Sequence, residues 1–103
     1  MQVLALLRVL PTATPDQMAA LIRPEARHVW DLHLSGTLRA VHFLQSPGAP
    51  YPNGVSLMLE VSDPAQAEAL IAALPMVSEG VAKPEVLPLA PFTSYATLFA
   101  SAA

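Results

Sequence analysis

The chain has 103 residues, no cysteine, a formal net charge of −3, 53% hydrophobic residues and a mean hydropathy of +0.46. That length fits a single domain with a modest core. Five Lys+Arg exclude a nucleic-acid surface, which needs clustered cations, and the lack of cysteine excludes a disulfide framework, a thiolate nucleophile and a zinc–thiolate site.

Met1–Leu10 is apolar but contains Arg8 and has neither a basic leader nor a small-residue cleavage site. Gln2–Leu10 therefore predicts a strand apolar on both faces, and a cytoplasmic protein is expected. Pro11 stops the strand. Thr14-Pro15-Asp16-Gln17 then supplies a Thr N-cap, a proline at the first helical position and a Gln for a capping box. The helical pattern runs to Ser35-Gly36, and Pro24 predicts a kink or a split, with one segment ending near Ile22 and another starting near Pro24. At about 100° per residue, Met18, Leu21, Ile22, Val29 and Leu32 form one stripe. Glu25 falls inside it. A carboxylate on a packed face must find a partner, face a wet cleft or stay protonated.

Thr37–Gln45 predicts a second strand, with Leu38, Ala40, His42 and Leu44 on one face and Arg39, Val41 and Phe43 on the other. The segment 46–54 is rich in Pro, Gly and Asn, a loop fit for the rim of a cleft. Val55–Val61 is the third strand. Asp63-Pro64-Ala65-Gln66 repeats the helix-start signal, and the helix it opens packs through Ala67, Leu70, Ile71 and Leu74 until Pro75 ends it. Val81–Leu89 is the last strand; Pro84 and Pro88 cannot donate to a ladder, so it is expected to be an edge or irregular strand. A short tail, 92–103, carries Tyr95, Leu98 and Phe99 at helical spacing and is expected to pack on the body or across onto another copy.

The order βαββαβ predicts one ferredoxin-like α+β domain over 1–103, an antiparallel sheet with two helices on one face. Apolar residues on both strand faces require a cover for the second face. The apolar excess cannot be a membrane span, because prolines and polar residues interrupt every apolar run. A second copy provides the cover, so a homodimer or higher homo-oligomer is expected, closing as a dimeric α+β barrel with no membrane or nucleic-acid partner.

Three stretches then resemble the YCII-related and muconolactone-isomerase-like proteins of the dimeric α+β barrel superfamily. They are Leu32-His33-Leu34-Ser35-Gly36-Thr37-Leu38-Arg39, Leu74-Pro75-Met76-Val77-Ser78-Glu79-Gly80 and Glu85-Val86-Leu87-Pro88-Leu89-Ala90-Pro91-Phe92. The resemblance implies a small organic ligand and, for the isomerase-like members, cofactor-free proton transfer. The His/Asp pair proposed for YCII-related proteins does not carry over: Glu25-Ala26 follows Arg23-Pro24, His28 is out of register, and Leu74 precedes Pro75.

Glu25 is the candidate base, since a carboxylate in apolar surroundings has its pKa raised toward working pH. Arg39 is its candidate oxyanion partner or buried counter-ion, and His28 is a second acid/base group. Trp30, His42 and Tyr51 are candidate ligand contacts. The three histidines lie five and nine residues apart, which gives no adjacent-turn pair, so neither metal nor cofactor is expected. An isomerase, a ligand-binding or regulatory protein without turnover, and a monooxygenase-like enzyme all fit this frame.

Overall fold

The computed structural model describes residues 1–100. Four strands, β1 (Gln2–Val9), β2 (Leu38–Leu44), β3 (Gly54–Glu60) and β4 (Ala82–Pro88), alternate with the helices α1 (Pro15–Leu34), α2 (Pro64–Ala72) and α3 (Pro75–Ser78). Every strand pairing is antiparallel and the sheet order is β2-β3-β1-β4, the ferredoxin-like arrangement. β4, with Pro84 and Pro88, is an edge strand as its prolines require.

The predicted caps form. Thr14 Oγ1 accepts from Gln17 N at 3.2 Å while Thr14 N donates to Gln17 Oε1 at 2.9 Å, closing a capping box. Asp63 Oδ1 accepts from Gln66 N at 2.8 Å, and Gln66 Oε1 takes the Ser62 N–H at 2.7 Å. Gly36, at φ 79°, ends α1 in the left-handed conformation that glycine adopts without strain.

The proline in α1 does not split it. The helix is continuous from Pro15 to Leu34 through Pro24. Ala20 and Pro24 are both exposed, so the carbonyl that loses its partner lies on the side turned to water. The packed stripe also differs by one residue from its expected membership. Met18, Leu21, Glu25, Val29 and Leu32 are half-buried, whereas Ile22 is 61% exposed. Beyond α2, Pro75 begins the short helix α3, which the sequence pattern did not reveal.

In β2 a register shift between Leu38 and Ala40 places a bulge at Arg39. The expected alternation therefore breaks there. Leu38 pairs with Leu59 and shares the helix-covered face with Val41 and Phe43, while Ala40, His42 and Leu44 take the other face.

The core lies between the sheet and the helices, from Val3, Ala5 and Leu7 of β1, Leu57 and Leu59 of β3, Ile71 of α2 and Leu74 between α2 and α3. Among the described residues, no polar or charged residue is fully buried. The opposite face of the sheet has no cover from the described chain. It presents Leu4, Leu6 and Arg8 of β1, Ser56 and Met58 of β3, and Lys83, Glu85 and Leu87 of β4.

The tail leaves the body. After Leu89 N donates to Gln2 O at 3.0 Å, a 3-10 helix over Thr93–Leu98 carries Tyr95 and Leu98 into solvent, with Phe99 84% exposed. The expected packing of this segment on its own body does not occur among the described residues, and the last part of the predicted tail, 101–103, lies outside them. The molecule is accordingly extended, 64 × 34 × 20 Å, with a radius of gyration of 16.8 Å, against about 13 Å for a compact chain of this size.

Gly54 opens β3 opposite Arg8. A Cβ there would overlap the Leu7 carbonyl oxygen and come within 3.0 Å of Leu44 Cδ1. Backbone on the central strand cannot yield as a side chain can, so Gly54→Ala is expected to lower the unfolding free energy by about 1–3 kcal/mol. Denaturant titration of the variant checks this, and a midpoint equal to the wild type would refute the overlap.

Candidate functional site

Glu25 sits where α1 crosses α3. Leu74 stands at the N-cap of α3 and offers no side-chain acceptor. The Glu25 carboxylate takes that place from a distant helix, with Oε2 accepting from Met76 N at 2.8 Å. Half-burial pushes the Glu25 carboxyl up, while the Met76 N–H and the charge of His28 pull it back, and burial prevails. His28, one turn on, is exposed. A cleft of about 190 Å³ lined by Gln17, Ala20, Leu21, Glu79 and Val81 opens one turn before Glu25.

The expected Glu25–Arg39 pair is not formed. The ion pairs among the described residues are Arg27–Asp31 at 3.9 Å and the α-amino group with Glu60 at 3.1 Å. Arg39 is exposed at the β2 bulge, and the Met76 amide satisfies Glu25 in its stead.

The remaining candidates do not converge on Glu25. Trp30 is exposed on α1 and stacks against His33, with ring centroids 5.0 Å apart and planes tilted by 33°. Tyr51 is exposed in the loop between β2 and β3. His42 is on the open sheet face, opposite Ser56. Among the described residues, no three His, Asp or Glu side chains gather where a metal could be held.

The open face holds polar groups that strand alternation alone did not bring together. The registers align His42, Ser56, Leu6 and Glu85 in one row across the sheet, and Leu44, Gly54, Arg8 and Lys83 in the next. A cavity of about 420 Å³ is lined by Leu6, Arg8, Lys83, Pro84 and Glu85. Arg8 was legible as the lone charge in an apolar strand. Its partner was not, because Lys83 is far along the chain and only the β1–β4 register sets them side by side.

No protein-family model and no curated protein sequence matches the chain. Solved structures do. The chain is similar to 5-chloro-2-hydroxyhydroquinone dehydrochlorinase from Burkholderia phenoliruptrix AC1100, whose structure is a complex with 2,5-dihydroxybenzoquinone, at a TM-score of 0.68 and 15% identity over 91% of this chain and 98% of that one. It is also similar to an antibiotic biosynthesis monooxygenase at a TM-score of 0.52 and 10% identity, covering 88% of this chain and 100% of the other. At such identities the likeness is one of fold, and with the topology above it makes the chain a ferredoxin-like α+β protein of the kind found in α+β barrels.

Proposed function

We propose that the protein binds a small organic molecule and acts as a homodimer, two copies closing their open sheet faces into an α+β barrel. The observation that carries this reading is the uncovered face itself. Leu4, Leu6, Met58 and Leu87 form an apolar field beside a cavity of about 420 Å³, a size suited to a small ligand. The protruding tail supports it too, since Tyr95, Leu98 and Phe99 find no cover on their own body. The quinone held by the dehydrochlorinase of this fold supports a small oxygenated ring as the ligand class. In this reading His42 faces the chamber and Tyr51 stands on the loop at its rim.

A second reading, proton transfer without a cofactor in the manner of muconolactone isomerase, is favoured by the raised pKa of Glu25 beside His28. The Glu25 carboxylate would take a proton from carbon next to a carbonyl. The C–H electron pair would delocalise into an enolate, and the protonated Glu25 would return the proton to a different carbon. Arg39, unpaired with Glu25, is left out of that step.

The dimer is expected to bury more than about 2,000 Å² and to persist at micromolar concentration. Removing the segment after Pro91 should weaken it or lower the melting temperature. Sedimentation of a stable folded monomer would overturn the barrel reading.

Glu25 separates cap from base. Its folded pKa lies above the unfolded one, so its contribution favours the fold most at low pH and is lost as pH rises from the ordinary carboxylate value through the raised one. Glu25→Gln keeps an acceptor for Met76 N and should flatten that dependence without loss of stability at neutral pH. Glu25→Ala removes the acceptor and should cost about 1–2 kcal/mol. Denaturation across pH measures both. If Glu25 is also the base, Glu25→Gln lowers turnover by orders of magnitude while ligand still binds; unchanged turnover leaves the residue a cap.

A further inference from the structure

We infer that the open sheet face holds a site for a small aromatic monocarboxylate, with the carboxylate gripped between Arg8 and Lys83. This rests on the small-molecule reading above and names its ligand class.

Arg8 and Lys83 are direct partners across the β1–β4 ladder, which sets their Cβ atoms about 5 Å apart. Like charges so placed repel and weaken the sheet. The chain has only five Lys+Arg, yet it sets two of them side by side. Neither makes an ion pair among the described residues. An anion seated between them removes the repulsion and uses both donors, and a carboxylate has the two oxygens to do so.

The surroundings narrow the ligand. On its other flank Arg8 faces Gly54, which has no side chain to offer as a counter-ion, with the Leu44 side chain packed close to it. Leu6, one row away, and Pro84 line the same cavity with apolar surface, a floor that suits a ring better than a hydrated inorganic ion. Glu85 sits opposite Leu6, two residues from Lys83 on the same face of β4. It makes no ion pair with either cation among the described residues. Its charge would repel a second anionic group and accept a hydrogen bond from a hydroxyl. The row beyond Leu6 continues through Ser56 to His42, polar groups within the same uncovered face. The pattern is one anionic end, an apolar middle and a hydroxylated far end.

Calorimetric titration of the protein with 4-hydroxybenzoate, 4-hydroxybenzamide, terephthalate and inorganic phosphate tests this. The expected order is 4-hydroxybenzoate tightest, with the neutral amide and the dianionic terephthalate each at least about tenfold weaker and phosphate weaker still. Arg8→Gln and Lys83→Gln should each lower 4-hydroxybenzoate affinity by about tenfold or more, and Lys83→Arg should retain it. Glu85→Gln should narrow the gap between the benzoate and terephthalate. Acid and amide binding alike, unchanged in Arg8→Gln, would overturn the carboxylate site and leave a small-molecule protein. Phosphate binding as tightly as the benzoate would reduce the pair to an adventitious ion site and overturn the inference. If no organic probe binds and the protein sediments as a monomer, the small-molecule reading falls with it.

Discussion

A four-stranded sheet buries its apolar residues only if something lies on each face, and this chain supplies a layer for one. Val3, Ala5, Leu7, Leu57 and Leu59 are sealed beneath the helices. Leu4, Leu6, Met58 and Leu87, set by the same alternation on the same strands, are not. Strands with apolar residues on both faces normally belong to sheets covered on both sides. The described chain supplies no layer for that second set.

The helical layer is itself tied together by a polar contact. α1 has no fully buried residue, and its half-buried stripe includes a carboxylate. That carboxylate does what Leu74 cannot, supplying an acceptor to the N-terminus of α3. The bond spans 51 residues of sequence and pins α1 to the turn that leads into β4. The half-buried position that looks costly for Glu25 is thus offset by an amide that would otherwise lack an acceptor. Structural and chemical roles need not compete here, because a carboxylate has a second oxygen.

Much of the fold was legible because it is encoded locally. Thr14-Pro15-Asp16-Gln17 and Asp63-Pro64-Ala65-Gln66 announce their helices, and Pro84 and Pro88 place β4 at an edge. What was not legible depends on long-range pairing. The bulge at Arg39 inserts one residue into the β2 alternation and moves Leu38 to the face of Val41. Strand propensity cannot reveal it. Glu25 was visible as an anomaly in its stripe, but its partner is a backbone amide, which has no sequence signature, so a side-chain cation was expected instead. Pro24 does not split the helix as one of the two expected outcomes had it, since Ala20 and Pro24 are exposed and water can take the carbonyl that loses its partner.

The two edges of the sheet are chemically unequal. β4 presents Pro84 and Pro88, positions with no N–H to offer an incoming strand, whereas β2 contains no proline. Strand-by-strand growth needs two receptive edges, one to add to and one to add with. A copy that docked along β2 would find on its neighbour only another β2 able to answer it, and the resulting twofold pair would turn a blocked edge outward at both ends. Edge-to-edge addition would therefore stop at two copies, a safeguard against fibre formation in a chain whose strands are unusually rich in apolar residues.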